Sequence, residues 1–295
     1  MAQQEYDFSQ GSIAKNIMSL AVPMTAAQLI NVLYSVVDRM YLGRLPGHLA
    51  LTGLGLTIPI VSIIMGFANL CGTGGAPLCS ICRGRGDQEE AERVMGNAFT
   101  LLLIFGGAVT ALFLIFKRPI LYLFGASDAT YPYADAYMTV YLLGTVFVMI
   151  GLGMNPFINA QGYSTVGMLS VTIGAVANLL LDPLFIFVFG FGVQGAAIAT
   201  VISQTLSAVF VLYFLTRKSE LKVRFVRKDE ISECAGYAKN IVSLGTAGFI
   251  MQLTNSLVTI CCNNVLSVTG GDIYISVMTI VSSVRQLVET PIYAM

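Results

Sequence analysis

Asn178-Leu-Leu-Leu-Asp182-Pro183-Leu-Phe-Ile186 is the stretch whose reading decides the fold. Its aspartate lies inside an apolar run over residues 166–190, long enough to cross a bilayer as one helix. An acid at the centre of a spanning helix costs about 2.5–3.5 kcal/mol on insertion scales, so its default reading is functional. Asn178 stands four residues earlier, hence on the same helix face. Pro183 has no N–H and clashes with the carbonyl of Leu179, so the run should bend there and leave a carbonyl free. Asn155-Pro156 repeats the arrangement in the preceding run. The plain structural alternative is that Asp182 caps the half-helix after the bend.

The rest of the chain has the same character. It is 56% hydrophobic and 11% charged, with mean hydropathy +0.77. A soluble domain carries about 25% charged residues to cover its surface. The composition therefore reads as an all-α, polytopic membrane protein whose partner is the lipid bilayer. Zero net charge excludes a nucleic-acid binder. The six cysteines sit mostly inside apolar runs, which is not a secreted disulfide framework. Met1–Gln10 is polar and does not read as a signal peptide.

Eight apolar runs cover residues 15–40, 51–80, 94–116, 135–159, 166–190, 193–216, 240–268 and 273–295. The second is long for one crossing, which predicts tilt or a loop at one end. Counting Lys and Arg in the connections places the N-terminus inside, in the cytoplasm of a cell. Arg83, Arg85, Arg93 and the cluster Arg217–Lys239 then face inward, against Arg39, Arg44, Lys117 and Arg118 outside. The organisation reads as a six-helix lobe (1–216), a charged cytoplasmic connection (217–239) and the start of a second lobe (240–295).

A repeat supports two lobes. Gln28-Leu-Ile-Asn31-Val-Leu33 in span one recurs as Gln252-Leu-Thr-Asn255-Ser-Leu257 in span seven, offset by 224. Thr57-Ile58 and Thr279-Ile280 open similar stretches of spans two and eight. Equivalent helices entering from the same side imply a pseudo-two-fold axis along the membrane normal. The second lobe has two helices here, and the chain stops within an apolar run at Met295. The expectation is a native protein of roughly twelve spans.

With this topology Asp38, Asn178, Asp182 and Thr200 fall at similar depth toward the outer side of spans one, five and six. Four oxygen-bearing side chains at one level suit a small hard cation or a shared proton. Two nearby carboxylates cannot both ionise cheaply without a cation. For Asp38 the alternative is an interfacial acid paired with Arg39 or Arg44.

The chain also resembles the multidrug and toxic compound extrusion (MATE) family, in its prokaryotic DinF-like and MepA-like branch. The resemblance rests on Asn178–Ile186 followed by Gly192-Val-Gln-Gly195-Ala-Ala-Ile-Ala-Thr200. Leu20-Ala-Val-Pro23 through Leu33-Tyr-Ser-Val-Val-Asp38 and Gly84-Arg-Gly-Asp87 with Glu89-Glu90-Ala91 add to it. It implies a twelve-helix antiporter with two lobes around a cleft, exchanging Na⁺ or H⁺ for organic, often cationic, compounds. It implies a coupling site of Asp38, Asn178, Asp182, Thr200 and the Ala196 carbonyl, and these side chains would be the ligands if Na⁺ is the ion. It also implies Tyr137 and Asn155 as hydrogen-bond residues; Gln28 and Asn31 join them as candidate substrate contacts. No cofactor beyond the coupling ion is expected, and a monomer is. Where some branches carry an acid in span seven, this chain has Gln252, Asn255, Asn263 and Asn264.

Other signals weigh less. Cys79-x-x-Cys82 has no second pair and reads as packing. Gly72-Thr-Gly-Gly75 lacks the Lys-Ser/Thr of a phosphate loop and predicts close helix approach. His48 is alone, and Arg285 and Glu289 can neutralise each other one turn apart. Gly84-Arg-Gly-Asp87 fits the Gly-x-Gly-Asp pattern of intramembrane aspartyl proteases, but lies in a solvated, charged loop. A lipid-precursor flippase would want cations in the cavity, whereas the Lys and Arg lie almost wholly in connections.

Overall fold

The computed structural model describes the backbone of residues 13–45, 49–224 and 231–293, and the side chains of 18, 21–45, 49–224 and 235–286. Every apolar run forms one helix: α1 (Ile13–Leu42), α2 (Leu49–Gly84), α3 (Gln88–Leu123), α4 (Tyr131–Ala160), α5 (Ser164–Pro183), α6 (Gly192–Tyr213), α7 (Ile231–Gly270) and α8 (Asp272–Tyr293). No strand occurs among the described residues. Six helices, α2 to α7, are long and apolar enough to cross a membrane by length and composition, among the described residues. α2 and α4 bury most of their apolar windows, whereas α3 and α5 keep most of theirs exposed, as lipid-facing helices do. The protein is a multi-pass membrane protein. His48 and the side chain of Glu289 lie outside the described residues.

The start of α3 shows why the chain turns where it does. Asp87 accepts a hydrogen bond from the Glu90 N–H at 2.9 Å, and Glu89 and Glu90 occupy the first turn. Both features favour a helix N-terminus, where free N–H groups leave a partial positive charge. Asp87 is thus an exposed helix cap, which leaves the protease pattern no intramembrane acid.

For span two the loop alternative falls away, and one expectation about length is corrected. α2 runs unbroken over 36 residues through Pro59 and Pro77, so the run 51–80 contains no loop. At about 1.5 Å per residue it is roughly 54 Å long, far beyond a bilayer core. The polar connection foreseen at 217–239 is shorter. A π turn (Phe214–Lys218) extends α6, and α7 already begins at Ile231. Apolar patterning marks only the part of a helix that lipid covers; helix-compatible residues continue it into water.

The first part of that connection is strapped to the six-helix lobe. Glu220 pairs with Arg83 at 2.8 Å and accepts from Gln88. Glu92 accepts from the Lys222 N–H and the Arg224 Nε, each at 2.9 Å. The Leu221 N–H donates to Gln161 Oε1 at 3.1 Å.

Between the lobes, α7 packs along α2. Near one end the two backbones nearly touch: a Cβ on Gly74 would land on the Ile241 carbonyl, and one on Gly245 would land on that of Leu70. The expected close approach at Gly72–Gly75 is therefore present, with Gly72 and Gly75 lying against Gly153 and Phe157 of α4. At the other end the repeat becomes visible. The Thr52 hydroxyl of α2 pairs with the Ser276 hydroxyl of α8, residues separated by 224 in sequence. Gly55, likewise 224 residues before Thr279, faces that threonine. Residues related by a two-fold axis meet only on the axis, so α2 and α8 run beside it. The Thr57–Thr279 match of the sequence is two residues out of this register.

Candidate coupling site and cavities

α5 does not bend as a plain kink. Beyond Pro183 its hydrogen bonding widens into a π turn, Leu184–Val188, closed by the Phe189 N–H on the Leu184 carbonyl. π bulges often mark functional sites. Gly190 and Gly192, at φ +69° and +55°, then reverse the chain into α6. Gly195 lets the start of α6 sit directly on the Phe185 carbonyl. This tight return brings Thr200 opposite Asn178.

The four predicted residues come together. Asp182, Asn178, Asp38 and Thr200 are 0%, 2%, 8% and 9% exposed. Asn178 Nδ2 donates to Asp182 Oδ1 at 3.1 Å and, more weakly, to Thr200 Oγ1 at 3.4 Å. The Asp38 and Asp182 carboxylates lie within electrostatic reach of each other. Tyr137 of α4 is buried and lines one cavity together with Asp38 and Thr200. Ala196 is fully buried one turn before Thr200.

The cluster has more acceptors than donors. Asp38 Oδ1, Asn178 Oδ1 and Asp182 Oδ2 are buried with no hydrogen-bond partner. Buried acceptors left unpaired cost about 1–3 kcal/mol each, more when charged. Two carboxylates with neutral amide and hydroxyl oxygens are hard ligands that suit Na⁺, or can share H⁺. Among the described residues no group of three His, Cys, Asp or Glu could hold a metal ion.

Two cavities flank the cluster. One, of about 330 Å³, lies between the lobes and is lined by Asp38, Arg39, Tyr137 and Thr200 on one side and Gln252, Asn255 and Arg285 on the other. The second, of about 400 Å³, is enclosed by α1, α2, α4, α5 and α6 and is lined by Gln28, Asn31 and Asn155, with no ionisable side chain but Tyr34. Tyr34 and Gln204 line both, and Gln204 Nε2 donates to the Tyr34 hydroxyl at 3.2 Å.

Asn155 therefore stands apart from Tyr137. The two are 18 residues apart on α4, about 27 Å along the axis at the helical rise. Asn155 instead donates to Ser170 Oγ at 2.7 Å and to the Gly167 carbonyl at 3.0 Å.

The family model MatE matches residues 23–184, more than half of the chain and all of α5. The chain belongs to the MatE family. Among curated relatives it is 28% identical over 260 residues to "Multidrug export protein MepA" of Staphylococcus saprophyticus, covering 85% of this chain and 58% of that one. A solved structure of the MATE multidrug transporter DinF-BH superposes with TM-score 0.88 at 32% identity. It covers 100% of this chain and 66% of that one. The outward-facing conformation of a multidrug resistance MATE family transporter of the MOP superfamily gives TM-score 0.85 at 27% identity, over 100% of this chain and 65% of that one. The chain thus spans under two thirds of the length of these relatives.

Within this MatE chain, sequence reading overlooked Tyr34 and Gln204. Both lie four residues from a recognised site residue, Tyr34 before Asp38 and Gln204 after Thr200. The same one-turn rule that joined Asn178 to Asp182 would have found them. Arg39 was assigned to an outer connection, but it lies inside α1 and lines the inter-lobe cavity.

Proposed function

We propose that the protein is a cation-coupled antiporter that exports organic, often cationic, compounds by alternating access. The observation that carries this reading is the set of three unpaired buried oxygens on Asp38, Asn178 and Asp182. Such a cluster releases free energy when a cation enters, and that differential affinity is what can shift a two-state equilibrium. Asp38, Asn178, Asp182, Thr200 and the Ala196 carbonyl would hold Na⁺; with H⁺, the carboxylates would take the proton. The π turn beyond Pro183 is the switching element, because it lets the end of α5 repack without unfolding. The two cavities supply room for a substrate among amides, Tyr34 and Met24. The same reading puts the protein in the cell membrane as a monomer, with the N-terminus cytoplasmic and the Asp38 end of α1 outward.

The test is ethidium accumulation in efflux-deficient cells. Wild-type protein should lower it, and Asp182→Asn should abolish the effect. Repeating the assay with and without Na⁺, at fixed pH, chooses the ion. Efflux by Asp182→Asn equal to wild type would remove the coupling role from this cluster.

A further inference from the structure

The 224-residue offset that brings Thr52 to Ser276 relates more than that contact on the axis. Applied to the wall of the inter-lobe cavity, it carries Ser35 to Thr259, Asp38 to Cys262, Arg39 to Asn263 and Val61 to Arg285. These second-lobe mates line one small recess, of about 70 Å³, between α2, α7 and α8. Asn255, Thr259 and Arg285 line both the recess and the inter-lobe cavity, so the two adjoin. The recess is the second-lobe counterpart of the Asp38 wall.

The counterpart is inverted in charge. A thiol, Cys262, stands where the first lobe has the Asp38 carboxylate, and the Arg285 guanidinium stands where the first lobe has Val61. No acidic side chain lines the recess among the described residues. The hydroxyls of Thr259 and Thr279 donate to the Asn255 and Ile275 carbonyls of their own helices, which leaves amides and the guanidinium as donors. Asn263 is 3% exposed, and its Nδ2 is buried with no acceptor. An unpaired buried donor is costly, and an acceptor in the recess removes that cost. A guanidinium carries more N–H donors than one partner on its own helix takes. Water would answer the unpaired amide but not the positive charge; an anion answers both. The volume equals that of about two water molecules, enough for a halide or a carboxylate group and too little for the body of a drug.

We infer that this recess binds a monovalent anion, either a free halide or the carboxylate of an organic compound whose body lies in the adjoining cavity. Arg285 supplies the charge and Asn263 Nδ2 a directed hydrogen bond. The first lobe thus presents oxygens to a cation, and the second presents donors to an anion. This goes beyond the exporter reading and stands without it.

The experiment is thermal unfolding of the purified protein, followed by circular dichroism at fixed pH, Na⁺ concentration and ionic strength. Isethionate, too large for the recess, is the reference anion. Replacing it by chloride tests the free ion, and replacing it by acetate tests the carboxylate. At least one should raise the melting temperature saturably. A response to chloride supports a halide site; a response to acetate alone supports the carboxylate of an organic ligand. Asn263→Asp keeps the side-chain shape but turns the unpaired donor into an acceptor, and should abolish the response. Arg285→Gln should weaken binding by about tenfold or more, and Arg285→Lys should recover part of it. Asp182→Asn, in the first lobe, should keep the full response, so failure here and failure of the coupling cluster are distinguishable. A second readout leaves the donors untouched. In Cys261→Ser protein the effective anion should slow N-ethylmaleimide labelling of Cys262, read by mass spectrometry of its peptide. No melting response to either anion, a response unchanged in both Asn263→Asp and Arg285→Gln, or an unaltered Cys262 labelling rate overturns the inference.

Discussion

Replacing Asp182 by asparagine should stabilise the ion-free protein while removing its response to the coupling ion. In the structure, Asp182 Oδ1 accepts from Asn178 at 3.1 Å, whereas Oδ2 is buried and unpartnered. An asparagine keeps the first bond and turns the second atom into a donor, facing a cluster that has only spare acceptors. One added hydrogen bond contributes about 0.5–1.5 kcal/mol, and about 1.5–3 kcal/mol if the acceptor is the charged Asp38. Loss of the Asp38–Asp182 repulsion acts in the same direction. A gain of about 1–2 kcal/mol corresponds to roughly 2–6 °C in melting temperature for a protein of this size class. Wild-type protein, by contrast, should gain about 2.7 kcal/mol when the ion is present at a hundred times its dissociation constant. The chain has no tryptophan, but Cys71, Cys79 and Cys82 are buried and free. A fluorogenic maleimide therefore reports unfolding, above a constant signal from exposed Cys261. The variant should start higher and stay put as ion is added. A variant that melts several degrees below ion-free wild type, or that keeps the full ion-dependent rise, refutes the account of unpaired oxygens awaiting a cation.

Three further outcomes are expected. Gly74→Ala puts a methyl group on the Ile241 carbonyl, where backbone cannot yield, so α2 and α7 must separate; a loss of about 1–3 kcal/mol should appear as a lowered melting temperature in the same maleimide assay. Tyr34→Phe removes the acceptor of the Gln204 amide between the two cavities; about 1 kcal/mol of stability should go, and ethidium affinity, measured by fluorescence anisotropy, should change because both cavities lose that hydroxyl. Glu92→Ala frees Lys222 and Arg224 from their shared partner; limited trypsin digestion after these residues should accelerate several-fold while the transmembrane core stays intact, and an unchanged rate would show that Gln161 and Arg83 alone hold the strap.

Much of the arrangement was legible because helices impose two simple rules. The rise per residue turns chain position into depth, which placed Asp38, Asn178, Asp182 and Thr200 at one level. The 3.6-residue period turns spacing into a shared face, which joined Asn178 to Asp182 before any neighbour was known. Apolar run length set the eight helices. The 224-residue offset of Gln28–Leu33 and Gln252–Leu257 anticipated the meeting of Thr52 with Ser276.

What the sequence alone could not decide is which helices adjoin and how far each turns about its axis. Those depend on contacts between distant segments, such as the bare backbones of Gly74 and Gly245 or the seat of Gly195 on Phe185. Rotation of α1 carries Arg39 out of a presumed surface position and into the space between the lobes. The length of α4 separates Asn155 from Tyr137, and packing of α1 against α5 and α6 makes two cavities with Tyr34 and Gln204 between them. Local propensity specifies a helix and its faces; only the summed packing of eight helices specifies which face meets which, and so where a charge on one lobe is felt by the other.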